Sequence, residues 1–321
     1  MMGYMVKMCL VLIGMSAQDA LAQNYPARPI RVINATSSGG GIDVFARLLI
    51  PGMAQALGQN VFVENRPGGG TNIAAEVAVN APADGYTVLI VNQAHAVNVS
   101  LYRNLKYDLV RDFAAVTQLA SSPQIVVVHP SFPVKSIGDL VKLAKAKPGA
   151  INYASAGMGT QTFLAAELFK IMAGVNLVEV RYRGGGNALT AVFTGEVPVY
   201  FVPLAAALPL IREGKLRALA VTTAKRLSAL PGYPTVAESG YPGYDCGSWL
   251  GLAVPAKTPK DTIAKIHGAA VAALNRPDIN KRMRDLSYIT IGSQPEEFAD
   301  YIKSEIERWR KIIRQTGITA D

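Results

Sequence analysis

The chain has 321 residues, 32 of them Lys or Arg against 23 Asp or Glu, for a net charge of +9, and half of its residues are hydrophobic. That length suits two domains and that balance a soluble globular fold, which excludes a disordered chain. The basic excess draws anions but carries no nucleic-acid motif, and two cysteines, Cys9 and Cys246, provide neither a disulfide framework nor a cysteine metal site.

The first segment reads as an export signal. Lys7 precedes an apolar stretch over 8–15, and Ala20-Leu21-Ala22 is a small-x-small cleavage site. This predicts a signal peptide over 1–22, cleaved after Ala22, and a mature protein in the periplasm. The stretch is shorter than the roughly 20 residues that span a bilayer, and no later segment is long and apolar enough, so no direct membrane insertion is expected. Met8 stands before Cys9 where a lipoprotein signal places a small residue, which argues against a lipid anchor.

Beyond the signal, one pattern occurs four times: an apolar β-like run, a Gly-rich polar loop, then an amphipathic helix. Residues 30–35 lead into Ser37-Ser38-Gly39-Gly40-Gly41, and 61–64 into Pro67-Gly68-Gly69-Gly70-Thr71 followed by Asn72. Residues 151–154 lead into Ser155-Ala156-Gly157-Met158-Gly159-Thr160, and 178–183, ending in Arg183, into Gly184-Gly185-Gly186-Asn187. A helix N-terminus offers unpaired N–H groups and the positive end of the macrodipole, so each loop is a seat for an anion. The candidate ligand-binding residues are therefore Ser37, Ser38, Gly39, Gly69, Gly70, Thr71, Asn72, Ser155, Ala156, Thr160, Arg183, Gly184 and Gly185. His95, after a strand over 87–91, is a further donor from the cleft wall.

Further strands are predicted over 125–129, 198–202 and 217–222, and their alternation with helices predicts an α/β fold with largely parallel strands. Ser136 with Asp139, Thr258 with Pro259 and Asp261, and Ser293 with Glu296 read as helix N-caps. The last helix carries Phe298, Ile302, Ile306, Trp309 and Ile313 on one face, a stripe that packs on a core. Two stretches read as domain crossings: Ser121-Ser122-Pro123, and the Pro/Gly-rich region within 220–251. They predict a discontinuous first domain, 23–122 with 246–321, and an inserted second domain, 123–245, with a hinged ligand cleft between them.

Catalytic machinery is not apparent. His95, His129 and His267 are far apart and lack metal-ligand spacing, and no nucleophile elbow or Walker loop occurs. The carboxylate pairs Asp108 with Asp112 and Glu296 with Glu297 read as surface charge. The expectation is a binding protein with no metal and no cofactor. A secreted hydrolase using Ser155 or Tyr182 is the alternative from another class, and neither residue has a base nearby in sequence.

Several stretches resemble a known family: Tyr25-Pro26-x-Arg28-Pro29-Ile30, Gly39-Gly40-x-x-Asp43-x-x-Ala46-Arg47, Glu64-Asn65-Arg66-Pro67-Gly68 and Pro82-x-Asp84-Gly85-Tyr86-Thr87. They are followed by Tyr107-Asp108-x-x-x-Asp112-Phe113, Lys147-Pro148-Gly149, Tyr182-x-Gly184, Gly214-Lys215-x-Arg217-Ala218-Leu219-Ala220, Pro234-Thr235-x-x-Glu238 and Trp249. In this order they are similar to the solute receptors of tripartite tricarboxylate transporters, the Bug family. The resemblance implies a two-domain periplasmic binding protein, type II-like, that closes on a small aromatic or aliphatic carboxylate and delivers it to transporter membrane subunits. It implies a carboxylate held by loop backbone groups, hydroxyls and bridging waters. A ligand-binding input to a periplasmic sensor kinase is the alternative, and a monomer is the simpler expectation for a hinged receptor. Two departures stand out. The first loop reads Asn34-Ala35-Thr36-Ser37-Ser38 where the family often has Pro-Phe-x-x-Gly, and Val202 stands where it often has Asp. Val202, if it faces the cleft, disfavours a ligand with an ammonium group.

Overall fold

A computed structural model describes residues 25–317, apart from 40, 158–159 and 228–229. The predicted signal peptide lies outside the described residues. In chain order the first units are β1 (Ile30–Asn34), α1 (Gly41–Leu57), β2 (Val61–Asn65), α2 (Asn72–Val79), β3 (Thr87–Asn92), α3 (Gln93–Leu101) and β4 (Phe113–Ser122). One residue, Pro123, separates β4 from β5 (Gln124–Val128). Then follow α4 (Ile137–Ala146), β6 (Ile151–Ser155), α5 (Gln161–Ala173), β7 (Leu177–Arg181), α6 (Gly185–Phe193), β8 (Val199–Pro203), α7 (Leu204–Arg212) and β9 (Arg217–Val221). The chain returns as β10 (Ser248–Pro255), α8 (Lys260–Leu274), α9 (Pro277–Asp285), β11 (Ile289–Thr290) and α10 (Pro295–Thr316).

These strands form two sheets, one in the order β11-β4-β10-β3-β1-β2 and the other β7-β6-β8-β5-β9. The expectation of largely parallel strands is corrected. β1 pairs in parallel with β2 and β3, and β6 with β7 and β8, but β10, β11 and β5 pair antiparallel with all their neighbours. The parallel pairs come from strand-helix-strand units, whose crossover helices reverse the chain. β5 and β10 adjoin the passages between the sheets, where no such helix intervenes, and the two-residue β11 follows α9. Gly251 shows how closely α10 lies on the first sheet: a methyl group there would collide with the Phe298 ring and the Thr117 carbonyl.

The two passages are tied together. Thr222 Oγ1 donates to the Gln124 carbonyl (3.0 Å) and accepts from the Gln124 N–H (3.1 Å), while the Thr222 carbonyl accepts from the Cys246 N–H (2.8 Å). The predicted stripe on α10 is buried throughout, but it serves both sheets. Phe298, Ile302 and Ile306 pack with Leu89, Val91 and Trp249 of the first sheet, whereas Trp309, Ile312 and Ile313 join Val126, Phe201 and Tyr244 beside the second. Between those halves the buried Glu305 accepts from the Trp249 and Trp309 indoles (2.8 and 3.3 Å) and pairs with Arg308 (2.7 Å).

Ser136 caps α4 as predicted, its hydroxyl accepting from the Asp139 N–H at 3.1 Å. The other two caps shift. Thr258 donates to the Pro255 carbonyl, and Pro259 precedes α8. At α10 the Glu297 carboxylate accepts from the Gln294 N–H (3.0 Å), one residue later than predicted, because the Ser293 hydroxyl is taken by the Gln118 N–H (3.0 Å).

Candidate functional site

Six strands, β1, β2 and β3 in the first sheet and β6, β7 and β8 in the second, each run into a helix at their C-terminal ends, the position where α/β sheets bind ligands. Between the two sets lies a cleft of about 740 Å³. It is lined by the first residues of α1 (Gly41, Ile42), the turn before α2 (Gly70, Thr71), the start of α3 (Asn92, Gln93, Ala94), and the starts of α5 (Thr160, Gln161, Thr162), α6 (Gly185) and α7 (Pro203, Ala205, Ala206). Six helix N-termini therefore meet at one cavity. No Asp, Glu, Lys, Arg or His is among the described residues that line it, so an anion held here is balanced by helix ends and neutral donors. Across the floor the Gln161 side-chain amide donates to Gln93 Oε1 (3.0 Å), a direct bond between the two sides. Ser122 and Ser248, paired where β4 meets β10, line the same cavity.

The first-sheet loops are fixed by buried polar side chains. Asp43, 1% exposed, accepts from the Gly39 N–H (2.8 Å), Arg47 Nε (2.9 Å) and Asn65 Nδ2 (2.9 Å). Its hydrogen bond from Arg47 holds its carboxyl well below the usual carboxylate range. Asn98 donates to the Gly70 carbonyl (2.6 Å) and to Asn72 Oδ1 (2.8 Å), and the latter also accepts from the Tyr107 hydroxyl (2.8 Å). Gly70 is needed there: its φ is +61°, and a Cβ would lie 2.5 Å from the Tyr102 hydroxyl.

A second cavity, about 670 Å³, lies between α8 and α10 over β4 and β10. It touches only the first sheet, so it cannot clasp a ligand between the two.

Residues 45–318 match the family model for the tripartite tricarboxylate transporter family receptor. The chain belongs to that family. It is 32% identical over 303 residues to BugT of Bordetella pertussis, covering 94% of this chain and 93% of that protein. Among solved structures, an adipate-bound R. palustris protein is 34% identical with a TM-score of 0.78, over 92% of this chain and 99% of that one. Malate-bound MatC of Rhodopseudomonas palustris is 30% identical with a TM-score of 0.75, over 90% of this chain and all of that one. The fold is thus the two-domain α/β fold of periplasmic binding proteins, and family members are solute-binding receptors rather than enzymes.

In this receptor five of the residues singled out from sequence line the cleft: Gly70, Thr71, Ala156, Thr160 and Gly185. The others are placed otherwise. Ser37 and Ser38 are exposed, next to the lining residue Thr36, and the Gly39 N–H is spent on Asp43. Gly69 lies in the short turn before α2, outside the lining, and Asn72 Oδ1 is committed to Asn98 and Tyr107. His95 is fully buried: its Nδ1 accepts from the Asn92 N–H (3.1 Å), closing the cap of α3, and burial pushes its pKa down to about 4. Ser155 is also fully buried, accepting from the Gly157 N–H (2.9 Å), which removes it as a hydrolase nucleophile. The Ala156 N–H, expected to face an anion, donates to Thr162 Oγ1 (3.0 Å). Arg183 is exposed and neither it nor Gly184 is among the lining residues; Gly184 is the cap of α6. Val202 packs in the core with Ala188, Val192 and Ala207, so the inference from its missing carboxylate falls away.

Sequence reasoning missed Asn92, Gln93, Ala94, Pro203, Ala205 and Ala206 because their strand-to-helix junctions have no glycine. It also missed Leu286 and Tyr288, which reach the cleft from the far end of the chain.

Proposed function

We propose that this protein is a periplasmic receptor that captures a small carboxylate in the cleft between its two sheets and delivers it to the membrane subunits of a tripartite tricarboxylate-type transporter. The observation that carries the reading is the convergence of six helix N-termini on a cavity with no charged side chain among the described residues that line it. The caps of α5, α6 and α7, Thr160, Gly184 and Pro203, make no side-chain capping bond. The Leu204 N–H of α7 is taken by the Pro123 carbonyl (3.0 Å), so the N–H groups that suit a carboxylate are the first ones of α5 and α6 and those after Leu204 in α7. Gln93 Nε2 is buried without a partner, a place for an ordered water beneath the ligand. Adipate and malate in two related structures point to the same ligand class. With no carboxylate side chain among the described residues that line the cleft, an amino-acid ammonium finds no counter-ion among them.

The two lobes are residues 23–122 with 246–321, and 123–245. Closure is a ligand-shifted equilibrium about the passages at Pro123 and Cys246-Gly247, and the receptor works as a monomer. Export follows cleavage after Ala22.

A thermal-shift screen of the purified protein, stripped of carried-over ligand, against mono-, di- and tricarboxylates, amino acids, sugars and polyamines tests the reading. A ligand at 100 times its Kd adds about 2.7 kcal/mol of stability, a visible rise in Tm. Shifts confined to carboxylates are expected, and shifts with sugars or polyamines alone overturn the reading. Co-purification of the liganded form with transporter membrane subunits tests delivery.

A further inference from the structure

We propose that Leu286 and Tyr288, with Ile42 and Val44, form a preset apolar wall that selects carboxylates with an apolar body over hydroxylated ones. The proposal rests on the receptor reading above and assigns a specificity role within its cleft.

All four side chains line the cavity, yet they come from two distant stretches of chain, the first turn of α1 and the turn after α9. The second stretch is held by its backbone. The Ser287 N–H donates to the Arg284 carbonyl (2.8 Å) and the Tyr288 N–H to the Met283 carbonyl (2.9 Å), closing the end of α9. Ser287 has φ +59°, a left-handed conformation that costs a residue with a Cβ about 1–2 kcal/mol. Among the described residues, Thr71 and Ser287 are the non-glycines with positive φ. Thr71 lines the cleft, and Ser287 sits between two residues that do. Backbone strain of this kind concentrates where a binding surface needs a particular side-chain placement.

The placement is also rigid. The Tyr288 ring meets the fully buried Phe45 edge-on, with centroids 4.9 Å apart, and both Tyr288 and Ile42 pack on the core of the first sheet. Its hydroxyl lies so near the start of α1 that a Cβ on Gly41 would stand 3.4 Å away. Val44, which lines the same cavity, remains 38% exposed, apolar surface that a ligand can cover. From the helices beside the second sheet come Leu164 of α5 and the small Ala205 and Ala206 of α7, leaving room for a ring or an extended chain. A ligand hydroxyl pressed against this wall loses water without gaining a full set of partners.

The test is isothermal titration of the purified, ligand-stripped protein with benzoate and adipate as apolar-bodied probes and malate as the hydroxylated probe. The expected result is tighter binding of benzoate or adipate than of malate. Tyr288→Ser and Leu286→Ser each weaken the preferred apolar probe roughly tenfold while malate changes less than about twofold. Tyr288→Phe keeps the preference, and so tests the ring should the serine variant fail to fold. Ile289→Ser, at an exposed neighbouring position outside the lining, changes neither. Tighter malate binding, or variants that weaken all three probes alike, overturns the wall and leaves the receptor reading standing. No binding of any carboxylate overturns the receptor reading, and the wall with it.

Discussion

The two walls of the cleft are built differently. On the first-sheet side, buried Asp43, Asn98 and the Asn92–His95 cap hold the loops by side-chain bonds that span up to 28 residues of sequence. On the second-sheet side the loop bonds are shorter in range, from the Gly157 N–H to Ser155, from the Ala156 N–H to Thr162 and, across 15 residues, from the Tyr200 hydroxyl to the Gly185 carbonyl (3.4 Å), and α5, α6 and α7 begin without a side-chain cap. The difference separates two tasks. One wall is pre-organised and can present a fixed shape, which lowers the entropy lost on binding. The other leaves the starts of α5 and α6 without a side-chain cap, which suits the proposed role of receiving a ligand's oxygens.

Perturbing the netted wall should cost stability first. Asn98→Ala removes the amide that bonds the Gly70 carbonyl and Asn72, and should destabilise by about 2–3 kcal/mol in denaturant unfolding. Ligand affinity should fall with it, because Gly70 and Thr71 lose their anchor. An unchanged midpoint would mean that the turn holds itself.

Asp43→Asn should cost about 1–2 kcal/mol at neutral pH, since the charged acceptor of Arg47 and Gly39 becomes a neutral one. The contribution depends on pH. Asp43 titrates lower in the folded chain than in the unfolded one, so its stabilisation is fully present above its unfolded pKa of about 3.9 and is lost as pH falls through the folded value. The variant should therefore lose less stability than the native chain on acidification below pH of about 4, measured by Tm against pH.

The open wall should respond in binding more than in folding. Thr162→Val leaves the Ala156 N–H without its acceptor and should cost about 1 kcal/mol of stability, while carboxylate affinity drops by roughly tenfold as the end of α5 shifts. Equal losses in Tm and affinity for the variants of both walls would erase the distinction. The smallest effect belongs to Ser287→Gly, which relieves a left-handed residue but gains unfolded-state entropy. A net stabilisation below about 0.5 kcal/mol is expected in the same unfolding assay.

Much of the fold was legible in the sequence for local reasons. Glycine at a strand-to-helix turn marks itself, so four of the six helix starts at the cleft could be found, and the period of Phe298, Ile302, Ile306, Trp309 and Ile313 marked the buried face of α10. The junctions at Asn92-Gln93 and Pro203 carry no such mark. His95 and Asn72 were read as ligand donors because their residue types permit it, yet each spends its acceptor on the adjoining structure. Val202 shows the same limit: adjacent to the lining residue Pro203, it points into the core because side chains alternate along a strand.

By itself the sequence determined the strand-loop-helix units, their helix N-termini and the apolar stripe of α10, all set by hydrogen bonding and side-chain period within a few residues. Tertiary structure decided which of those ends face a common space, that β10 returns antiparallel between β3 and β4, and that Leu286 and Tyr288 line one cavity with Ile42 and Val44. Those arrangements depend on pairing between segments up to hundreds of residues apart, where the free energy lies in burial and sheet register, and no local pattern encodes them.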